Sequence, residues 1–198
     1  GLGPFHAQTF ESLMAHVPGV DVVMPSTAAD AAGLLNAAFA NQSTGRPTLF
    51  LYPKVCLNDP AMAAAPGAVA EVLQPGTARF VTTGDRFTLV TWGGTVPVCA
   101  KAVQALEAAG VTGDFIDLRS LSPWDVEAVC ESVRRTRRLV VVHEDNVTCG
   151  FGAEVLATVS ERVNVPIQAR RVARPDTYVP CNYVNQLEVL PSVRRILS

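Results

Sequence analysis

Residues Phe87–Leu118 read FTLVTWGGTVPVCAKAVQALEAAGVTGDFIDL, and this stretch decides the fold class. Phe87–Trp92 is a short apolar run with β-branched members, bounded by a glycine pair, and predicts a buried strand. From Val96 to Ala108 the apolar positions are Val96, Cys99, Ala100, Val103 and Leu106, while Lys101, Gln104 and Glu107 fall on the opposite face. That spacing predicts an amphipathic helix. Asp114–Leu118 (DFIDL) returns to strand character. A strand, a helix and a strand in this order form a crossover unit, whose strands lie parallel.

The alternation continues in both directions. Downstream, SPWDVEAVCESV predicts a helix with Ser122 as N-cap, Pro123 at the first helical position and Asp125 at the positive end of the dipole. Strand Arg138–Glu144, helix Gly152–Arg162, strand Pro166–Val172 and a last helix started by Pro191 follow. Upstream, Thr9–His16 reads as a short helix and Val20–Met24 as a strand. The Ala-rich helix Ala28–Asn41 is capped by Ser26 or Thr27, and Pro47–Pro53 is a second strand. The expected fold is α/β, a mainly parallel sheet with flanking helices. Residues 54–76 are rich in Ala, Pro and Gly and read as a linker between a unit at 1–53 and a unit at 77–198. The first unit, with two strands and two helices, should leave a sheet edge and an apolar face uncovered. That suggests a piece of a larger domain and an assembly of two or more chains.

Composition narrows the function. The chain has 198 residues, of which 48% are hydrophobic and 17% charged, enough for a core. A formal net charge of −2 gives no electrostatic case for nucleic acid or a membrane. No apolar run approaches the ~20 residues that span a bilayer. Cys56, Cys99, Cys130, Cys149 and Cys181 are odd in number and form no C-x-x-C pair. They read as reduced thiols serving as small buried hydrophobes, with neither a disulfide framework nor a metal site.

Several motifs hint at chemistry. Gly93-Gly94, and the G-x-G of Gly150–Gly152, each lie between a strand and a helix, where backbone N–H groups can hold an anion. The dinucleotide fingerprint needs a small residue where Val155 stands, so tight turns are the simpler account. His143-Glu144 ends a strand, where α/β sites form, but neighbours on a strand point to opposite faces. A structural role for His143, hydrogen-bonded at the strand end or placed in a subunit interface, is the expectation. His16 is accounted for at a helix C-terminus, and Asp117/Arg119 as a salt bridge or turn anchor.

The ordered set of FHAQTFESLMAHVPGVDVVMPSTAADAAGLL, FTLVTWGGTV, DFIDLRSLSPWDVEAVCESVRRTRRLVVVHE, GFGAEV and LEVLP resembles the beta subunit of thiamine diphosphate-dependent 2-oxo acid dehydrogenases. SPWD leans toward the branched-chain (2-oxoisovalerate) type, with pyruvate as the other. The resemblance implies the end of a pyrimidine-binding domain (1–53) followed by a transketolase C-terminal-like domain (77–198). It implies that His6 is the active-site histidine near the cofactor's reactive carbon, working in proton transfer or in stabilising charge during reductive acylation of a lipoyl group. An imidazole, titrating near neutrality, suits that work. Gln8 and Glu11 match too, as residues that hold the turn.

The resemblance also implies thiamine diphosphate and magnesium in the parent assembly, held by an alpha subunit. No cofactor-binding or metal-binding residue is carried over to this chain, and no bound cofactor is expected on it. The partners implied are an alpha subunit or alpha-like domain, a second beta subunit and the lipoyl acyltransferase core. The setting would be a bacterial cytoplasm or a mitochondrial matrix. On this view the chain serves dimerisation and docking and is inactive alone. Three departures stand out: Ala7 replaces the family's Ser, Cys149 replaces a usual Gly, and Asn41–Pro47 lacks the acidic residue of a monovalent-cation loop. The alternatives are the C-terminal half of a transketolase or deoxyxylulose phosphate synthase, or a stand-alone binding module.

Overall fold

The computed structural model of the chain describes residues 6–64 and 72–198. The first unit runs α1 (Glu11–Ala15), β1 (Asp21–Val23), α2 (Ala28–Ala40), β2 (Thr48–Phe50) and α3 (Lys54–Leu57). The second runs β3 (Arg79–Thr82), β4 (Thr88–Thr91), α4 (Val96–Ala108), β5 (Asp114–Asp117), β6 (Ser120–Ser122), α5 (Val126–Thr136), β7 (Arg138–Asn146), α6 (Phe151–Arg162), β8 (Gln168–Arg174), α7 (Tyr183–Val189) and α8 (Val193–Leu197). Within the expected linker, Lys54–Leu57 is helical, and residues 65–71 lie outside the described residues.

The larger sheet has the order β3-β5-β4-β7-β8. β4 pairs in parallel with β5 and β7, and β7 pairs in parallel with β8. The sheet is mixed because β3, which the sequence pattern did not predict, pairs antiparallel with β5 at one edge. β4 is central and every residue of it is buried. Its polar side chains are satisfied inside: Thr88 Oγ1 lies 2.6 Å from Ser132 Oγ, and Thr91 Oγ1 donates to the Val142 carbonyl at 2.8 Å. A strand covered on both faces tolerates threonine only with such partners.

The smaller sheet has the order β2-β1-β6. β6 comes from the second unit and pairs antiparallel with β1. The edge of β1 expected to stand open is therefore closed by the chain itself. This also displaces the expected start of the next helix. Ser122 is the last residue of β6, and its hydroxyl donates to the Val20 carbonyl at 3.1 Å. α5 begins at Val126 and is capped by Asp125, whose carboxylate accepts from the Ala128 N–H at 3.1 Å. Ser122 cannot cap because its backbone is already paired across the sheet. Likewise Ser192, not Pro191, heads α8, accepting from the Arg195 N–H at 3.4 Å.

One core runs through both units: Val22 and Met24 pack with Val90, Trp92, Ile116, Leu121, Val141 and Phe151. An ionic seam joins them at the surface of that core. Ser26 Oγ donates to Asp117 Oδ2 at 2.6 Å, and Arg79 reaches Asp117 at 3.0 Å and Asp30 at 3.3 Å. Arg119, at φ 60, pairs with Asp30 at 2.8 Å, while its N–H donates to Asp117 at 3.2 Å. Asp117 is thus a turn anchor, and the guanidinium of Arg119 pairs elsewhere. Of the cysteines, Cys99 and Cys130 are buried, Cys56 is half-buried, and Cys149 and Cys181 are exposed. The expectation of buried thiols fails for the last two because both sit in loops. Among the described residues, no helix is long and apolar enough to cross a membrane.

Candidate functional site

Helix α1 has only five residues, and Phe10 ahead of it makes no side-chain cap bond. The segment from His6 to Phe10 lies near the carboxyl end of β7. Two side chains fasten it. Ser12 Oγ donates to Asp145 of β7, and the Trp92 indole N–H donates to Glu11 Oε1 at 3.4 Å. Glu11 opens the helix and turns inward, only 1% exposed.

Between this segment and the sheet lies a cavity of about 520 Å³. Its wall takes His6 and Glu11 from the segment, Met24 from after β1, Leu51 from after β2, Glu144 from β7 and Tyr183 from α7. The cavity thus opens at the carboxyl ends of β1, β2 and β7, the place where open α/β sheets bind ligands. His6 is exposed at its rim. The lining is mostly apolar with a few converging polar groups, the usual make-up of a small-molecule site.

The electrostatics are acidic. Burial pushes the Glu11 carboxyl up to about 7, aided by the charges of Asp145 and Glu144 and opposed by its own backbone and the Trp92 indole. Burial also raises Glu144, against the pull of Arg174. The Cys56 thiol, 3.6 Å from the Gly93 carbonyl, is pushed up to about 11 by burial and by Glu144. An acid held near neutrality beside an exposed histidine can exchange protons with a bound group.

His143 and Glu144 part company as strand neighbours do. Glu144 faces the cavity. His143 is fully buried, stacked on Trp92 with ring centroids 5.5 Å apart and 9° between planes. Burial lowers it to about 4. Neither ring nitrogen finds a hydrogen-bond partner among the described residues, so the expected strand-end hydrogen bond is absent there. The G-x-G turn has a packing cause. A Cβ on Gly152 would stand 2.5 Å from His143 Nε2, and one on Gly150 would stand 2.6 Å from His143 Cε1. Gly152 thus leaves room for the imidazole, and Gly150 for both the imidazole and the Asn146 carbonyl, 2.2 Å from where its Cβ would stand. Gly93, at φ +52, packs on Met24, and Gly94 lies against Glu144. His16 caps the C-terminus of α1, exposed. The residue that sequence reasoning undervalued is Glu11, read as a turn-holder. Its signal was the glutamate at the head of a short apolar helix, which cannot show burial by itself.

Comparison with known proteins now has a site to bear on. Residues 76–196 match the family model "Transketolase, C-terminal domain". Residues 3–59 match "Transketolase, pyrimidine binding domain". The chain belongs to the transketolase C-terminal domain family. It is 39% identical to the 2-oxoisovalerate dehydrogenase subunit beta, mitochondrial, of Dictyostelium discoideum, over 90% of this chain and 48% of that one. It is 32% identical to the pyruvate dehydrogenase E1 component subunit beta of Bacillus subtilis (strain 168), over 98% of this chain and 60% of that one. The chain spans about half the length of the curated relatives it matches. A solved structure, "Split gene transketolase, inactive beta4 tetramer", shares the fold with a TM-score of 0.71 at 23% identity, over 94% of this chain and 58% of that one.

The cavity lies between the two matched regions. The transketolase C-terminal domain contributes Glu144, Val179 and Tyr183, and the pyrimidine-binding match contributes His6, Glu11 and Met24. Trp92 and His143, both in the transketolase C-terminal domain, form the packed floor under Glu11.

Proposed function

We propose that this chain is the C-terminal portion of the beta subunit of a 2-oxo acid dehydrogenase, of the branched-chain or pyruvate type. Its parent would oxidatively decarboxylate a 2-oxo acid and pass the acyl group to a lipoyl carrier. On this reading residues 1–53 end a pyrimidine-binding domain, 54–76 link, and 77–198 form the transketolase C-terminal-like domain. His6 is the catalytic residue, exchanging a proton at the cavity rim with the group bound there. The observation that carries the reading is the placement of His6 on a cavity at the carboxyl ends of three strands, in a chain similar along nearly its whole length to such beta subunits.

The family is associated with thiamine diphosphate and magnesium, and the cavity does not suit their charged end. Among the described residues Lys54 is the one lysine or arginine in its wall, which it shares with the carboxyls of Glu11 and Glu144, a poor match for a diphosphate. The resemblance alone assigns the diphosphate and its magnesium to an alpha subunit, and no step is derived through them here. A second beta subunit and the lipoyl acyltransferase core are the other partners. Of the sixteen exposed large hydrophobics among the described residues, half lie between Phe10 and Leu57, which supports an assembled state.

The test is reconstitution. With the full-length beta subunit of which this chain is the C-terminal portion, an alpha subunit, thiamine diphosphate, magnesium and a lipoyl domain, 2-oxoisovalerate or pyruvate should acylate the lipoyl group, and His6→Gln should abolish it. The chain alone should not turn over; turnover without an alpha subunit would refute the division of labour.

A further inference from the structure

Six buried polar side-chain atoms around the site have no hydrogen-bond partner among the described residues. They are Gln8 Nε2, Thr9 Oγ1, Glu11 Oε2, both His143 ring nitrogens and Asn146 Oδ1. They fall on two stretches, residues 8–11 and the end of β7, which meet through the Ser12–Asp145 hydrogen bond. Buried polar atoms are seldom left unpaired, so such a concentration marks a place built for something other than stability. Of these residues Glu11 alone is both fully buried and in the wall of the His6 cavity.

The two oxygens of Glu11 differ. Oε1 accepts from the Trp92 indole, whereas Oε2 has no hydrogen-bond partner among the described residues. The charged groups facing it come from several elements. β7 brings Glu144, Asp145 and, behind Trp92, His143. β8 brings Arg174, which is turned toward Asp145 at 3.9 Å. Lys54 of α3, Tyr52 and Tyr183 share the cavity wall, with His6 on Glu11's own segment. Among the described residues no cation pairs with Glu11, and its nearest charged neighbours are carboxylates. An unpaired carboxyl in that setting rests as the neutral acid. Because Oε1 is the acceptor for the indole, the proton sits on Oε2.

We propose that Glu11 is a proton donor to the His6 cavity, a neutral acid whose Oε2–H hydrogen-bonds, and on demand protonates, the group seated beside His6. This deepens the reading of the His6 site and rests on it. The two groups divide the work by access. His6 is exposed and exchanges with solvent. Glu11 is sealed beneath the cavity and holds its proton until a bound group takes it, which leaves a carboxylate on the floor and the proton on the acceptor.

Two measurements separate this proposal from the reading beneath it. In the first, the chain carries ¹³C-labelled glutamate, and the Glu11 carboxyl is followed by NMR against pH, assigned by its contacts with the Trp92 ring. A midpoint near neutrality, unchanged by His6→Gln, supports the proposal; a midpoint in the ordinary carboxylate range overturns it. The wild-type chain suffices, so a variant that fails to fold does not void the test. In the second, the reconstituted assembly is assayed across pH. Glu11→Gln keeps a hydrogen-bond donor but cannot give up a proton. It should lower kcat/KM by about 10²-fold and remove the alkaline limb of the profile. A Glu11→Gln profile that retains the wild-type alkaline limb overturns the proposal. If wild-type assembly shows no acyl transfer, the dehydrogenase reading falls, while the NMR midpoint still decides whether Glu11 holds a proton.

Discussion

Glu11 and His143 are both buried in the fold and both disfavour charge, yet they bend stability in opposite directions with pH. Glu11 rises from 4.5 to about 7, so between those values the folded chain holds a proton that the unfolded chain has released. Its stabilising contribution is full below pH 4.5 and is lost as pH rises to 7. His143 falls from 6.5 to about 4, so between those values the unfolded chain binds a proton that the folded chain refuses. Its contribution is full above pH 6.5 and is lost as pH falls to 4. At about 1.4 kcal/mol per unit, each shift amounts to about 3 kcal/mol. In the wild type the two slopes oppose each other from pH 4.5 to 6.5 and largely cancel. Glu11→Gln should expose the His143 limb: its stability relative to wild type should climb by about 3 kcal/mol from pH 4 to 7. His143→Leu should do the reverse. A packing change shifts either curve bodily without altering its slope, so the difference curves isolate the titration. Urea unfolding at half-unit pH steps, with constant m, measures both. A flat difference curve for Glu11→Gln would mean that Glu11 ionises like an exposed glutamate, and the buried-acid argument would fail.

Two other outcomes follow from packing and capping. Gly152→Ala gains about 1 kcal/mol of helix propensity but drives a Cβ to 2.5 Å from His143, an overpacking cost of about 1–3 kcal/mol. The urea midpoint should fall, and the loss should vanish in a His143→Ala background; an equal loss there would refute the clamp. Asp125→Ala removes the acceptor for two backbone donors, Ala128 N–H at 3.1 Å and Ala78 N–H at 2.9 Å. A loss of about 1–2 kcal/mol is expected, with faster hydrogen exchange at both amides; unchanged exchange at Ala78 would contradict the second contact.

The crossover unit at Phe87–Leu118 was legible because strand and helix each announce themselves by period, and α4 spans the residues its pattern marked. What the pattern did not show were pairings that depend on distant chain. β3 has two exposed residues out of four and gains its place only by lying along β5. β6 is three residues whose strand character comes from β1, about a hundred positions earlier. α7, with no residue buried, offers no apolar face to read. At the site, His6 drew notice through resemblance and lines the cavity, whereas the role of Gly150 and Gly152 gave no such signal. Their requirement is set by the imidazole and, at Gly150, by the Asn146 carbonyl, and a sequence shows only that a turn is there.

The acid character of Glu11 was illegible for a more general reason. Asp114 is as deeply buried as Glu11, at 0% against 1% exposure, yet its titration is displaced the other way. Burial by itself would raise it. Ser132 Oγ at 2.5 Å, the Arg135 guanidinium and the Gly84 N–H at 3.0 Å overcome that and hold it below the ordinary range. Glu11 has its own backbone N–H, a long hydrogen bond from an indole, and carboxylates for charged neighbours. Desolvation acts on both but weighs less on Asp114, and its partners then carry the sign. Asp114 is buried as a charge with its pairs in place, which is a structural arrangement. Glu11 is buried without them, and its stability below neutral pH depends on remaining protonated. Supplying Glu11 with a cation should therefore erase the difference: Leu51→Lys on the cavity wall should bring the Glu11 midpoint down toward the ordinary range. A midpoint that stays near neutrality in that variant would show that desolvation, not the lack of a partner, governs Glu11.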